Sequence, residues 1–309
     1  MNAVADFLDH VRIGEPTSSR NLTLFPVEYD GEPGPEYDLL DVALEEGTAT
    51  VGERVEGATV PTLTLRNDGH RPVLVIAGFG FVGGLQNRMA NTSCLAGAGD
   101  TEVPVSCVEQ GRWNSESRFR SGDMAHSKLR GQVLDQTSVS LHATHTYGSD
   151  QGAVWSEVRR LSSSVGSSSR TGDLQESFGA IDMDTREFER AFNGGEPCNG
   201  LLAGIDGRIV GFDMFDRKDT FERIKSKLFR SYLVQALERA DHRGACSKRD
   251  AQAFLRRIGD AGPGRSYPSC ALGDDYRWQS LDQLASALVH EGRVIHLMCF
   301  PRKKFSPWD

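Results

Sequence analysis

Features that would assign the chain to a membrane, to the secretory pathway or to a metal cluster are missing from its sequence. No apolar run approaches the roughly 20 residues that a membrane helix needs, and the first residues are acidic where a secretion signal needs a basic flank. The six cysteines form no CxxC pair, which argues against a zinc knuckle and a compact disulfide framework. We therefore expect a cytoplasmic protein without a membrane segment, with most of its thiols buried.

Positive charge is outnumbered, since the chain has 43 Asp and Glu residues against 35 Lys and Arg residues. The formal net charge is -8, and the one basic cluster, Arg302 to Lys304, is short and lies near the C-terminus. Since an acidic protein repels the phosphate backbone, long nucleic acids are poor candidate ligands. A small molecule is the better candidate, and the sequence identifies neither a cofactor nor an oligomeric state.

The chain does contain a block of strands followed by a block of helices. Strand-like runs are NLTLFPVEY from Asn21, ATVGERV from Ala49, VPTLTLR from Val60 and RPVLVIAG from Arg71. Apolar residues recur near a 3.6-residue period in Asp150 to Leu161, Asp182 to Phe192, Thr220 to Ala240 and Lys248 to Ile258. Elements that come in blocks predict an α+β fold rather than a doubly wound α/β sheet.

Two β-hairpins are predicted among the helices. LLAGIDGRIVGFD turns at Asp206 and Gly207, a pair that suits a type I′ turn because both central residues need positive φ. ASALVHEGRVIHLMCF turns at Glu291 and Gly292. The predicted fold is therefore a β-rich N-terminal half followed by a C-terminal half of helices and two hairpins.

The length of 309 residues fits one large domain or two small ones. We expect a single domain over residues 1–309 and leave open a division into a β-rich lobe, residues 1–122, and a mixed helix and hairpin lobe, residues 123–309. The low-complexity stretch LSSSVGSSSRTG, residues 161–172, is predicted to be a mobile surface loop.

No metal site is predicted. His142 and His145 are three residues apart, but no third ligand accompanies them at a recognisable spacing. In the last hairpin His296 is expected opposite Ala287, which places it on the other face from His290.

A GxGxxG pattern follows an apolar strand at Gly78, Gly80 and Gly83. In a dinucleotide-binding fold these glycines would bend the chain at a pyrophosphate and open a helix near Gly83, in a parallel sheet. The residues that follow, LQNRMANTSCLAGAG, are poor helix formers, and several strands precede the pattern. A glycine-rich bend is therefore favoured, and a Rossmann-type NAD-dependent oxidoreductase is the lesser alternative.

A longer motif identifies a family more selectively than the GxGxxG pattern does. The segment GGLQNRMANTSCLAGAGDTEVPVSCVEQGRW, with NLTLFPV before it and QGAVWSEV, IVGFDMFD and RSY after it, resembles the ADP-ribosylglycohydrolase (ARG) and Rhodanese-Phosphatase-superfamily-associated protein domain family over nearly the whole chain. Members are associated by gene neighbourhood with NAD and ADP-ribose metabolism. The resemblance therefore implies an ADP-ribose-like nucleotide ligand, without an established mechanism.

The chain departs from the family pattern in one turn. The family carries acidic residues and a lysine there, whereas this sequence has Phe79, Gly80 and Leu85. If the missing charges supported catalysis, the protein would be a non-catalytic binding or partner-recruiting module.

Two groups of residues are the candidate site. Gln86, Asn87 and Arg88 follow a Gly-Gly bend and suit phosphate or ribose contacts; the alternative is an arginine that binds loop carbonyls. Our leading hypothesis is that the protein binds an ADP-ribose-like nucleotide, and that any reaction is hydrolysis or transfer at the ribose or phosphate.

The second group is Glu109, Arg112 and Trp113, which would supply a general base, a diphosphate clamp and a stacking face for adenine. The alternative is a buried Glu109 to Arg112 ion pair beneath a core tryptophan. Cys107 is expected to be a structural thiol rather than a nucleophile.

Four further side chains receive weaker assignments. Gln151 and Trp155 share a helix face near its first turn and are added as ligand contacts, although Trp155 also suits the core. Asp213 and Asp216 are expected to cap the helix that follows them rather than to hold a cation.

Overall fold

The computed structural model describes residues 3–54, 61–114, 118–181, 192, 196–238, 244–260, 262 and 264–302. Its helices are Ala3–Asp9 (α1), Leu40–Glu45 (α2), Ser127–Thr144 (α3), Gln151–Ser164 (α4), Leu174–Gly179 (α5), Lys218–Leu237 (α6) and Lys248–Asp260 (α7). The first strands are Val11–Ile13 (β1), Thr17–Ser19 (β2), Leu22–Tyr29 (β3), Asp38–Leu39 (β4), Ala49–Gly52 (β5), Thr62–Asn67 (β6), Val73–Val75 (β7), Gly80–Val82 (β8) and Arg88–Ala90 (β9). The others are Cys94–Ala96 (β10), Gly99–Cys107 (β11), Arg120–Ser121 (β12), Gly200–Ile205 (β13), Arg208–Phe215 (β14), Arg265–Pro268 (β15), Asp274–Gln279 (β16), Gln283–His290 (β17) and Arg293–Pro301 (β18). The predicted α+β fold, with its two C-terminal hairpins, is confirmed.

A large antiparallel sheet forms the centre of the fold, in the order β1-β3-β13-β14-β18-β17-β16-β15, with β2 beside β3. Its strands come from both sides of residue 122, so the two lobes considered above share this sheet. Alternate residues enter two different cores: Leu201 packs with Phe221 of α6, and Leu202 packs with Phe254 of α7. Helices on both faces explain why the central strands are almost continuously apolar.

Both hairpins turn where the sequence predicts. Asp206 and Gly207 have φ values of 53° and 73°, and Glu291 and Gly292 have 50° and 74°, as a type I′ turn requires. The predicted register of the second hairpin is wrong beyond its turn. A bulge between Leu288 and Val289 sets His296 opposite Leu288 instead of Ala287.

The glycine fingerprint does not open a helix. After Gly83 and Gly84, which have φ values of 129° and 53°, the chain reverses into β9, which pairs antiparallel with β8. The segment that follows, whose residues are poor helix formers, contributes β9 and β10 to small, mainly antiparallel sheets. The Rossmann alternative is therefore wrong, because it requires a parallel sheet and a helix at this point.

Most predicted helices are present. α4, α6 and α7 match three of the four periodic segments, while the fourth, residues 182–192, falls outside the described residues except for Phe192. The expected loop at residues 161–172 is helical up to Ser164. α3 was not predicted, since its apolar residues alternate with many polar ones. In the part of the chain that the structure describes, no helix combines the length and apolar character of a membrane span.

A buried ion pair joins α3 to the large sheet. Arg130 donates two hydrogen bonds to the carboxylate of Asp213, and both side chains are completely buried. Tyr232 adds a hydrogen bond of 2.6 Å to the same carboxylate, and His296 Nε2 lies 3.3 Å from it. Burial opposes ionisation of Asp213, but the charge of Arg130 and the His296 contact hold its pKa well below the usual value.

The expected capping role of the two aspartates is therefore wrong. Asp216 accepts hydrogen bonds from the Gly34 N–H, at 2.8 Å, and the Tyr37 hydroxyl, at 2.7 Å, while Asp213 binds Arg130. The residue before α6 is Arg217, whose side chain makes no capping hydrogen bond. Both carboxylates bind residues that are distant in the sequence, so neither caps α6.

Candidate functional site

The loop between β8 and β9 is closed by a single asparagine. The Asn87 side-chain oxygen accepts the Gly83 N–H at 2.9 Å and a guanidinium hydrogen bond from Arg112 at 3.1 Å. The Asn87 backbone N–H donates to Glu109 at 3.0 Å. Asn87 thus ties the glycine-rich turn to the segment that follows β11.

Glu109 and Arg112 form the ion pair that the alternative interpretation predicted. Arg112 Nε lies 2.9 Å from both carboxylate oxygens of Glu109, and Nη2 lies 2.7 Å from one of them. Arg112 also donates to the carbonyl of Gly84 at 2.7 Å, so it is the arginine that binds loop carbonyls. Burial opposes ionisation of Glu109, yet the hydrogen bonds from Arg112 and Asn87 hold its pKa below the usual value.

Gln86 lies between the two predicted groups. Its side-chain nitrogen donates to the Glu109 carbonyl at 2.9 Å, and its oxygen accepts from Arg88 Nη1 at 3.1 Å. The structure therefore brings Gln86, Asn87 and Arg88 together with Glu109 and Arg112 in one place.

Arg88 is buried but incompletely paired. Its side chain is fully buried, and its Nε and Nη2 have no hydrogen-bond partner among the described residues. Burial lowers its pKa, although the nearby Cys107 and Glu53 side chains oppose that shift. Its guanidinium carbon lies 5.8 Å from the ring centre of Trp113. Trp113 is 54% exposed, so it is not the core tryptophan of the alternative interpretation.

Gln151 and Trp155 lie behind Cys107. Gln151 accepts the Cys107 N–H at 2.9 Å and donates to the Cys107 carbonyl at 2.7 Å, so its amide holds the end of β11. The buried indole N–H of Trp155 lies near the Cys107 sulfur without good hydrogen-bond geometry. Burial raises the pKa of the Cys107 thiol, as expected for a structural cysteine.

Asp173 also lies at this site, although the sequence did not predict it. Residues 108–111 and 171–174 run antiparallel, held by Leu174 N–H to the Val108 carbonyl at 3.0 Å, and Asp173 lies directly opposite Glu109. Burial raises the pKa of Asp173 to about 6, and the charge of Glu109 adds to the shift. Asp173 also caps α5 by accepting the Gln175 N–H at 3.1 Å, and in the sequence it is indistinguishable from an ordinary helix cap.

Two of the three positions at which the family pattern is expected to carry charged residues have no room for them. Phe79 is buried against Phe81, and a Cβ atom at Gly80 would collide with the carbonyl oxygen of Asp123. Leu85 is only partly buried, and its N–H donates to Glu53 at 3.1 Å. Only position 85 can present a charged side chain without repacking.

A groove of about 670 Å³ lies elsewhere, between α2, the turn at residues 68–71 and the start of α6. Its Arg71 already pairs with Glu36 at 2.9 Å and Asp38 at 3.5 Å, and several acidic side chains line it. No group of three potential metal-binding side chains occurs among the described residues.

The family model described as ARG and Rhodanese-Phosphatase-superfamily-associated Protein domain, ARPP-1, matches residues 10–300. No curated protein and no solved structure matches the chain. Since the family match extends over most of the chain, from the residue before β1 to Phe300 in β18, the protein belongs to the ARPP-1 family.

Proposed function

We propose that this protein binds an ADP-ribose-like nucleotide between the glycine-rich loop at Gly83 and the segment that carries Glu109 and Trp113, as the first step of a hydrolysis or group transfer at the ribose. The observation that carries the proposal is the incomplete pairing of Arg88, which is fully buried with two nitrogens unsatisfied among the described residues.

An unsatisfied buried cation is costly. The effective penalty for burying an ion is several kcal/mol, and it is offset only when hydrogen-bonding partners of opposite charge are supplied. The oxygens of a diphosphate are such partners, and they form strong charge-assisted hydrogen bonds with a guanidinium. Arg88 therefore suits the anionic centre of the ligand.

The neighbouring side chains suit the rest of the nucleotide. Trp113 offers a half-exposed aromatic face 5.8 Å from the Arg88 guanidinium carbon, which supports stacking of adenine. Arg112 is held by Glu109 and by the loop carbonyls, so it fixes the loop rather than clamping phosphate. The family name, which associates these proteins with ARG, supports a ligand of the ADP-ribose class.

A non-catalytic binding module is the second candidate. It is favoured by the close packing of Phe79 and Gly80, at two of the positions where the family pattern is expected to carry charged residues. If this candidate is correct, the wild-type protein returns ADP-ribose derivatives unchanged. Replacement of Leu85 by Glu or Lys is then the one restoration that the fold tolerates.

The test is calorimetric titration with ADP-ribose, followed by chromatography of the same sample. We expect Arg88→Met to raise Kd by roughly 10- to 100-fold, since hydrogen bonds to charged groups contribute about 1.5–3 kcal/mol. The same variant should unfold no more easily than wild type, because an apolar chain replaces a poorly paired charge. Arg257→Met, at an exposed pair with Asp282, is the matched control and should leave Kd unchanged. Equal Kd values for the two variants would refute the proposed site.

A further inference from the structure

Two buried carboxyl groups, those of Glu109 and Asp173, lie opposite each other, and Glu109 also interacts with Arg88. Glu109 and Asp173 occupy directly opposed positions on antiparallel backbone segments, where Cβ atoms are about 4.5–5.5 Å apart. The Asn87 backbone N–H donates to Glu109 at 3.0 Å, and its side chain lies near enough to Asp173 to lower the pKa of that carboxyl group slightly against the effect of burial.

The two carboxyl groups are not equivalent. Glu109 has Arg112 as a counter-ion, whereas the Asp173 carboxyl group accepts a hydrogen bond from the neutral Gln175 N–H and has no cationic partner among the described residues. Like charges opposed across two strands repel each other, so the carboxyl group without a cation is the one that keeps a proton. Burial and the charge of Glu109 act in the same direction, raising the pKa of Asp173 to about 6. Environments that separate two carboxyl pKa values in this way are typical of an acid and base pair.

We infer that Asp173 is the proton donor, and Glu109 the basic partner, in the hydrolysis of an O-glycosidic bond at the terminal ribose of an ADP-ribosylated compound. The inference rests on the proposed function, because Arg88, with its unsatisfied buried nitrogens, must hold the diphosphate beside the pair.

Water is the one co-reactant that this hydrolysis needs, and every bond and proton is accounted for. Asp173 gives its proton to the glycosidic oxygen as the bond from that oxygen to the anomeric carbon breaks. Water adds its oxygen to the anomeric carbon, and its proton passes to Glu109 and then to solvent. Asp173 recovers a proton from solvent, so the products are ADP-ribose and a free hydroxyl compound.

This chemistry defines the substrate class. An alkoxide is a poor leaving group and needs a proton, whereas a 4-nitrophenolate leaves with little assistance. Asp173 should therefore matter for an alkyl glycoside of ADP-ribose and much less for the 4-nitrophenyl glycoside. The nicotinamide of NAD departs as a neutral molecule and needs no acid at all.

The experiment compares wild type with Asp173→Asn on the methyl and 4-nitrophenyl O-glycosides of ADP-ribose. We expect kcat to fall about 10²- to 10⁴-fold for the methyl glycoside and by less than about tenfold for the 4-nitrophenyl glycoside. The wild-type rate on the methyl glycoside should decline above pH about 6, and the variant should lack that decline. Asp150→Asn is the matched control, since Asp150 also caps a helix but lies outside the pair.

The other outcomes show whether the role of Asp173 fails alone or together with the proposed binding of ADP-ribose. If Asp173→Asn cleaves the methyl glycoside at the wild-type rate, the role of Asp173 is overturned and hydrolysis stands. If wild type binds ADP-ribose but cleaves neither glycoside, the inference fails and the binding function stands. If calorimetry detects no ADP-ribose binding by wild type, both are overturned.

Discussion

Removal of either partner of the Arg130 and Asp213 pair should be among the most destabilising changes available in this fold. Both side chains are fully buried, and the Asp213 carboxylate also receives the Tyr232 hydroxyl. Removing one member of a buried pair leaves an uncompensated charge and costs about 3–5 kcal/mol. Since domains are stable by only about 5–15 kcal/mol, Arg130→Met should lose a large part of the total.

The assay is urea unfolding at pH 7 for Arg130→Met, for Asp213→Leu and for the double variant. We expect each single change to lower the free energy of unfolding by about 3–5 kcal/mol, and the double variant to recover much of that loss because no lone charge stays buried. Arg257→Met, at a half-exposed pair with Asp282, should change it by less than about 1 kcal/mol.

The stabilisation by the Arg130 and Asp213 pair should decrease as the pH falls. The folded pKa of Asp213 lies well below the unfolded value of about 3.9, so the stabilisation is complete at neutral pH. It is lost as the pH falls from about 4 towards the folded pKa. Single variants within about 1 kcal/mol of wild type would refute this reasoning, because the pair could not then be buried as described.

Two further predictions concern glycine and cysteine. Gly80→Ala should lower the free energy of unfolding by about 1–3 kcal/mol, since its Cβ collides with backbone, whereas Gly259→Ala in α7 has open space and should raise it by about 0.5–1 kcal/mol. Thermal unfolding of both variants checks this, and a loss at Gly259 equal to that at Gly80 would contradict it. Iodoacetamide should label Cys270 first in the native protein, because it is the one partly exposed cysteine, and Cys107 only after unfolding. Mass spectrometry that finds Cys107 labelled as fast as Cys270 would contradict its assignment as a structural thiol.

The parts of the fold that were predictable depend on local chemistry. The Asp206-Gly207 turn needs positive φ at both positions, and that requirement is visible in two letters of sequence. The bulge at Leu288 was not predictable, because it depends on how β17 meets β18 and shifts the partner of His296 by one residue.

The part of the candidate site that was predictable also lies within a short stretch of sequence. Gln86 and Glu109 lie in one continuous motif, and the antiparallel pairing of β9 with β11 brings the two ends of that motif together. Asp173 comes from a segment more than 60 residues away, and its pairing with Glu109 is a tertiary event without a local signal. The choice of Arg112 rather than Arg88 as the partner of Glu109 likewise depends on burial and geometry.

The central claim is that Arg88 holds the anionic part of an ADP-ribose-like ligand, and a crystal structure of the protein with ADP-ribose tests it most directly. We expect a phosphate oxygen within hydrogen-bond distance of Arg88 Nε or Nη2, with adenine against Trp113. Ligand density in the groove beside Arg71, or anywhere that leaves the Arg88 nitrogens unsatisfied, would contradict it.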